Sequence, residues 1–206
     1  MLLLAAGWIV LSLAPPAANA EDGFAAGAAI ESTGYGVSLG YALPQGIVIR
    51  AQSGSLTFDR NFHSQGNTFT GKGTVSNVLL DAEFHPKGKR FYYAAGGFLN
   101  SNSFSGSTTS AGVIFGTTNY GAGTAQAKVT WPSVSPYIGI GWAPLRKGLG
   151  FDLGAAFHGF PKAVVTTNIA GVSTADIASA QDQIQHDVHK DLPIYPVIGL
   201  RYTWGF

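Results

Sequence analysis

The sequence predicts an all-β fold, an eight-stranded antiparallel transmembrane β-barrel with short turns at one rim, long loops at the other and one short amphipathic helix. Three observations support this prediction. Apolar and small or polar residues alternate along several segments, short and long connections alternate along the chain, and only 11% of the 206 residues are charged. Typical soluble domains have about 25% charged residues, so this composition favours a surface that faces lipid.

The N-terminal segment predicts a cleaved signal peptide over residues 1–20, followed by a barrel domain over 21–206. Residues 2–14 form an uncharged apolar stretch of secretory length, and Ala18-Asn19-Ala20 is a small-x-small cleavage site. Signal peptides usually have a basic residue before the apolar stretch, and here no Lys or Arg precedes it. A start site placed too far downstream would explain this, and a membrane anchor is the alternative interpretation of the segment.

Short turns divide the rest of the chain into strands. The turns at 43–46, 85–89 and 144–148 combine Pro with Gly or basic residues, as tight reversals between antiparallel strands do. Three polar stretches, 59–72, 101–130 and 161–192, show little strand patterning and are predicted to be loops. Bacterial barrels have an even number of strands. The predicted strands are 22–30, 33–43, 46–58, 73–85, 90–100, 132–143, 149–161 and 194–206.

The alternation predicts one lipid-facing and one lumen-facing side for each strand. From 149 to 158 the odd positions are Leu, Phe, Leu, Ala and Phe, and the even positions are Gly, Asp, Gly, Ala and His. Segments 35–41 and 138–142 repeat the pattern, with Gly and Ser opposite the apolar residues. Successive side chains of a strand point to opposite faces, so the small residues would line a narrow lumen.

Aromatic residues cluster close to the short turns. Four of them predict an aromatic girdle at one membrane interface, where rings with one apolar and one polar end are favoured. They are Tyr41, Phe84, Trp142 and Phe151.

The last strand, YPVIGLRYTWGF, has apolar or aromatic residues at every second position: Leu200, Tyr202, Trp204 and Phe206. Together with the signal peptide and the turn asymmetry, it resembles the small eight-stranded outer-membrane β-barrel proteins of Gram-negative bacteria. The resemblance implies periplasmic turns, extracellular loops and location in the outer membrane, in contact with its lipid. It also implies that periplasmic chaperones carry the chain and that the barrel-assembly machinery reads these four residues as a signal.

Charged residues at lumen-facing positions predict an ion network in the periplasmic half of the barrel. They are Arg50, Asp81, Glu83, Asp152 and Arg201, all within about six residues of a short turn or of the C-terminus. Carboxylates and guanidinium groups at this density form charge-assisted hydrogen bonds. A structural network that plugs the lumen is the favoured interpretation, and a gate or proton-linked relay is the alternative.

Residues 173–190 predict an amphipathic helix on the extracellular side. Ser173 and Asp176 form a capping pattern, and four apolar residues follow at helical spacing. These are Ile177, Ala180, Ile184 and Val188. Asp182, His186 and His189 on the same helix could bind a divalent metal, but such residues are more often an ordinary polar face, and no metal site is predicted.

The sequence leaves the function open. The net charge is +1 and no dense basic cluster occurs, so no nucleic-acid partner is predicted. There is no cysteine, so neither a disulfide scaffold nor thiolate chemistry is available. The leading hypothesis is a non-enzymatic outer-membrane protein with a structural or surface-interaction role, without a cofactor and with an unknown extracellular ligand. One alternative is a narrow channel for small apolar molecules, with a cavity lined by residues such as Phe98 and Phe160.

A lipid-modifying enzyme is a second alternative, which predicts loss of activity on His63→Ala or His158→Ala. Acyl transfer needs a nucleophile, a base and an orienting group in contact, and no spacing in this sequence imposes that geometry, so no catalytic residue is predicted. A soluble periplasmic β-sandwich is the alternative fold.

Overall fold

Eight strands form a closed antiparallel ring, as the sequence predicted. The computed structural model describes residues 23–64, 66–86, 89–110, 112–115, 118–191 and 194–206, and the predicted signal peptide lies outside them. The ring consists of β1 (Gly23–Glu31), β2 (Gly34–Leu43), β3 (Ile47–Ser64), β4 (Asn67–Phe84), β5 (Phe91–Asn100), β10 (Val134–Trp142), β11 (Gly148–Ala156) and β13 (Tyr195–Gly205).

Two strand pairs close the ring. β1 pairs with β13, with Ala25 opposite Gly205, and β4 pairs with β5, with Phe84 opposite Tyr93. The short connection between β2 and β3 is a single 3-10 turn, Pro44–Gly46, in which Gln45 and Gly46 have φ values of 70° and 76°. We call the end that carries this turn and the last residue of β13 the turn end.

The predicted long loops contain strands, so the prediction that 59–72, 101–130 and 161–192 lack strand structure was wrong. β3 and β4 continue beyond the barrel as one tall hairpin that pairs as far as Ser64 and Asn67. The additional strands are β6 (Ser103–Ser110), β7 (Ile114–Phe115), β8 (Thr118–Asn119), β9 (Gly123–Thr130) and β12 (Lys162–Thr167). Three of them extend the sheet from the outer part of β4, in the order β4, β6, β9, β12.

The predicted helix is present as α1 (Thr174–Asp191) at the end opposite the short turns. The Asp176 backbone N–H donates to Ser173 Oγ at 3.1 Å, as the capping pattern predicted. α1 lies against β12 and also reaches β3. No helix in the described part of the chain is both long enough and apolar enough to cross a membrane.

We call the structure beyond the barrel the cap: the outer parts of β3 and β4, strands β6 to β9 and β12, and α1. The cap has a hydrophobic core of its own. The buried residues of this core are Phe69, Val113, Phe115, Ala125, Ala127, Val129, Ala163, Val165, Ala180, Ile184 and Val188. The helix face with Ala180, Ile184 and Val188 is therefore what covers the inner side of the cap sheet.

Within the barrel, large apolar side chains point outward and the interior is filled by rings and charges. Leu153, Ile138 and Ile198 are exposed on the outer face, where a soluble protein would carry charges. Two glycines make room for interior rings: a Cβ at Gly154 would collide with the Tyr137 ring, and one at Gly141 would collide with Tyr92. Glycine on the lumen-facing side thus permits a narrow barrel that still encloses aromatic side chains.

Candidate functional site

The structure brings the five predicted lumen charges into one buried cluster near the turn end, which we call the lumen network. The Arg50 guanidinium is bidentate to Asp81, with Nε to Oδ1 at 3.0 Å and Nη2 to Oδ2 at 2.7 Å. Its Nη1 donates to Asp152 Oδ1 at 3.0 Å, across the lumen from β3 to β11. Arg50 thereby joins opposite walls of the barrel.

Arg201 forms the second centre of the lumen network. Its Nη1 donates to Glu83 Oε1 at 2.5 Å and lies 3.6 Å from Asp152 Oδ1. Glu83 Oε1 also lies 3.1 Å from Arg50 Nε, so the two guanidinium groups share this carboxylate. All five side chains of the network are at least 95% buried. Charge-assisted bonds of this kind rigidify a site that excludes water.

Three neighbours of the lumen network were not predicted from the sequence. Gln52 Oε1 accepts from Arg50 Nη1 at 3.3 Å, and the Tyr92 hydroxyl donates to Asp152. His85 Nε2 lies 3.2 Å from Glu83 Oε2, and its Nδ1 lies 2.9 Å from the Lys89 carbonyl oxygen. Tyr92 follows Phe91 and precedes Tyr93, so the strand alternation alone could have placed it in the lumen. His85 lies in a predicted turn and carried no such signal.

A layer of apolar and aromatic side chains fills the barrel interior next to the lumen network. Leu79, Phe98, Tyr137 and Val197 are each no more than 2% exposed. The Phe98 and Tyr137 rings meet edge to face, with centroids 5.4 Å apart. Along the barrel axis from the turn end, the lumen is therefore filled first by the lumen network and then by the apolar and aromatic layer.

The predicted girdle residues Tyr41, Phe84, Trp142 and Phe151 all lie on the outer surface at the turn end, between 37% and 49% exposed. Trp142 is directly opposite Phe151 in the β10–β11 pair, and the Arg90 guanidinium lies 4.8 Å from the Trp142 ring centroid. Such a pairing of rings and a cation suits the headgroup region of a membrane.

Three residues of the predicted C-terminal signal lie on the outer face of β13, and the fourth, Phe206, follows its last residue. Leu200, Tyr202, Trp204 and Phe206 are between 36% and 53% exposed. The Phe206 backbone N–H donates to the Phe24 carbonyl at 2.8 Å. The last residue is thus held at the seam where the first and last strands close the ring.

A cavity of about 390 Å³, which we call the cap cavity, lies between the cap and the outer end of the barrel. It was not predicted from the sequence, because its walls come from segments that were predicted to be loops. Its lining includes Phe58, Arg60, Gly73, Thr74, Val75, Asn102, Ser103, Phe104, Val129, Trp131, His158, Val188 and Tyr195. Phe98, which is buried in the barrel interior, and Phe160, which is 62% exposed and stacks on His189, do not line it.

His158 is held at the edge of the cap cavity by hydrogen bonds. Its Nδ1 lies 2.9 Å from Ser135 Oγ, and Asn100 Nδ2 donates to the same hydroxyl at 2.6 Å. His158 follows the end of β11, and its burial lowers the pKa of the imidazole. Ser135 is fully buried, so its hydroxyl is not presented to a substrate as a nucleophile would need to be.

The other residues considered for catalysis or metal binding have partners of their own. His63 is exposed, and its Nδ1 lies 3.0 Å from Thr68 Oγ1 across the β3–β4 hairpin. On α1, Asp182 accepts from Gln185, and the His189 ring stacks on Phe160. Among the described residues, no group of three or more acidic or histidine side chains is arranged to hold a metal ion.

The start of α1 is fixed to the cap sheet by a shared carboxylate. Asp176 Oδ2 accepts from Ser173 Oγ and from the Tyr120 hydroxyl, each at 2.5 Å. These two hydrogen bonds lower the pKa of Asp176, and the bond to Asp176 raises the pKa of Tyr120.

Comparison with solved structures supports the fold. CarO of Acinetobacter baumannii is 19% identical, with 88% of this chain and 97% of that chain covered and a TM-score of 0.57. CarO2 of the same species is 20% identical, covering 89% and 98%, with a TM-score of 0.59. A major outer membrane protein of Thermus thermophilus is 18% identical over 89% of this chain and 99% of its own, but its TM-score of 0.42 is too low to support an argument.

No protein-family description matches the sequence, and no curated protein matches it either. The structural similarity therefore establishes the fold alone. This chain has the fold of an eight-stranded outer-membrane β-barrel protein, as the sequence predicted.

Proposed function

We propose that the chain is an integral outer-membrane protein whose barrel does not conduct and whose role is exerted by the cap at the cell surface. In this proposal the barrel is an anchor and the cap is the part that meets other molecules. The function is non-enzymatic: a structural or surface-interaction role.

The observation that carries the proposal is the lumen network. Arg50 and Arg201 bridge opposite walls of the barrel through carboxylates that are almost completely buried. Breaking a buried ion pair by removing one partner costs about 3–5 kcal/mol, so thermal fluctuations open such a network rarely. The adjacent layer of Phe98 and Tyr137 presents a second barrier to solutes and ions.

Conductance of the purified barrel in planar lipid bilayers tests the proposal. We expect no steps above the baseline for the unaltered protein and rare, short openings for Arg50→Ala. Arg60→Ala removes an arginine from the cap rather than from the lumen, and it should behave like the unaltered protein. Steady single-channel conductance of the unaltered protein would show that the lumen is a pore and would overturn this function.

The proposed route to the outer membrane uses the C-terminal strand. We propose that the barrel-assembly machinery recognises Leu200, Tyr202, Trp204 and Phe206 and that periplasmic chaperones deliver the chain. Deleting Phe206 should reduce the amount of folded barrel in the outer membrane, measured as the heat-dependent shift in gel mobility. Val164→Ala in the cap is the control, because it alters an exposed apolar residue outside β13. An undiminished level after deletion of Phe206 would remove this role.

A further inference from the structure

The cap cavity has apolar walls and a cationic edge. Its apolar walls come from β3, β4, β6, β9 and α1, and they include the rings of Phe58 and Phe104 together with Val129 and Val188. Among the described residues of its lining, Arg60 is the only side chain of formal positive charge, and none is Asp or Glu. A volume of about 390 Å³ is in the range of cavities that hold small organic molecules.

Arg60 points to the cavity because of its position in the tall β3–β4 hairpin. Lumen-facing residues of β3 are even-numbered, from Arg50 and Gln52 outward, and Arg60 continues that series beyond the barrel. It lies opposite Gly71, while its neighbour Asp59 lies opposite Lys72 on the other face of the hairpin. Among the described residues, no carboxylate forms an ion pair with Arg60. The cavity edge therefore carries a positive charge that an anionic ligand can neutralise.

His158 adds a neutral hydrogen-bond donor to the same cavity. Asn100 Nδ2 donates to Ser135 Oγ, and the described residues around this buried hydroxyl offer its hydrogen no acceptor other than His158 Nδ1. We assign the Ser135 hydrogen to a bond with Nδ1, which places the imidazole hydrogen on Nε2. Because Nδ1 is occupied, Nε2–H is the group that His158 offers to a molecule in the cavity it lines.

We propose that the cap cavity is a binding site for a small organic anion, a carboxylate attached to an aromatic or alkyl body. The carboxylate accepts hydrogen bonds from Arg60 and from His158 Nε2–H, and the body packs among Phe58, Phe104 and Val188. A cation finds no described carboxylate in the lining, and a neutral apolar molecule gains no charge-assisted hydrogen bond from Arg60. This proposal rests on the proposed function in one respect: the cap is the part of the protein that meets other molecules.

The test uses 4-bromobenzoate as probe and Trp131 in the cavity wall as reporter, because bromine quenches tryptophan fluorescence only at contact. Trp142→Phe and Trp204→Phe remove the reporters on the lipid-facing surface of the barrel. In this background, reconstituted in lipid nanodiscs, we expect saturable quenching of Trp131. Arg60→Gln should weaken binding about tenfold, which corresponds to the loss of one charge-assisted contact.

Lys72→Gln is the matched control, since it removes a cation from the same hairpin on the face away from the cavity, and its binding curve should be unchanged. The neutral probe 4-bromobenzyl alcohol should bind at least about tenfold more weakly than the carboxylate. Non-saturating quenching that is equal in Arg60→Gln and Lys72→Gln would indicate partition into lipid and would overturn the site. Equal affinity for the alcohol would overturn the preference for an anion.

Folding and function are separated by two further measurements. Each variant is checked for the heat-dependent gel shift, and Arg60 is exposed, so its loss should leave the barrel folded. Conductance is measured on the same preparations. A barrel that does not conduct and does not bind the probe would overturn the anion site and leave the proposed function intact. A barrel that conducts and binds the probe would overturn the proposed function and leave the anion site intact.

Discussion

The barrel and the cap bury opposite kinds of side chains. In the barrel, charged groups such as Arg50 and Glu83 are inside and leucines such as Leu153 are outside. In the cap, Ile184 and Val165 are inside, and the outer faces of the strands carry residues such as Lys128. One continuous sheet makes both arrangements, since β3 and β4 run through the two regions.

We attribute this difference in buried side chains to a change of the surrounding solvent from lipid to water. In lipid, the outer face gains by being apolar, and polar groups must find partners inside the barrel. In water, the hydrophobic effect favours burial, and the cap needs a helix to cover the inner side of its sheet. We expect this transition at the height where β4 changes its neighbour from β5 to β6, between Asn77 and Thr74.

The largest expected effect comes from breaking the core of the barrel. Arg50→Ala leaves Asp81 and Asp152 buried without their main partner, and we expect a loss of about 3–5 kcal/mol in the free energy of unfolding. The measurement is urea unfolding in lipid vesicles, followed by tryptophan fluorescence. Arg60→Ala in the cap is the control, with an expected change within about 0.5 kcal/mol because the side chain is exposed. Equal losses for both variants would contradict the contrast between the two regions.

A matched pair of substitutions locates the boundary between lipid and water. Leu153 is 41% exposed on the barrel and Val164 is 46% exposed on the cap strand β12. Leu153→Arg should cost about 2–4 kcal/mol because it places a charge in hydrocarbon, whereas Val164→Arg should cost under about 1 kcal/mol. Both are measured by unfolding in vesicles. A cost for Val164→Arg as large as that for Leu153→Arg would place the cap inside the membrane.

A smaller effect is expected at the start of α1. Ser173→Ala removes the acceptor for the Asp176 backbone N–H, and loss of such a helix cap costs about 1 kcal/mol. The loss should be confined to the cap, so hydrogen exchange should quicken in α1 and remain unchanged in β11 and β13. Quickened exchange throughout the barrel would indicate that cap and barrel unfold as one unit.

The smallest effect is a pH dependence of the hydrogen bonds that the Asp176 carboxylate accepts from Ser173 and Tyr120. Because the pKa of Asp176 is lowered from its ordinary 3.8, its stabilisation is present above that pH and is lost as the pH falls through the lowered value. The pKa of Tyr120 is raised from 10.0, so its contribution is present below pH 10.0 and is lost as the pH rises through the raised value. The protection of the amides in the first turn of α1, measured relative to the intrinsic exchange rate at each pH, should therefore fall in acid below about pH 3.8. Asp176→Asn should remove the acid change, and an identical acid response in that variant would assign it elsewhere.

Sequence pattern alone located most of the barrel because lipid imposes a strict alternation. The five lumen charges could be chosen by their position on alternate residues and by their distance from a short turn. The cap strands were missed because their buried face is built from small residues. In β9 the buried residues are Ala125, Ala127 and Val129, separated by Gln126 and Lys128, and alanine is a weak signal for a strand.

The cap cavity could not be predicted for a related reason. Arg60 and His158 are nearly a hundred residues apart in the sequence, and both line the cap cavity because the hairpin of β3 and β4 extends beyond the barrel. Neither the length of that hairpin nor the protonated nitrogen of His158 is encoded in a local pattern. Ser135 and Asn100, which set that nitrogen, come from two further strands.

The position of α1 has a consequence for how copies of this protein coexist in a crowded membrane. In the described part of the chain, β3 has no neighbouring strand beyond Ser55 on its β2 side, and β12 is the last strand of the cap sheet. Unpaired edges of this kind are templates on which a neighbouring chain can add a strand. The helix contacts both β12 and β3, the strands that carry these two edges. We expect a covalently attached helix at this place to hinder strand addition, so that the extended sheet stays within one molecule.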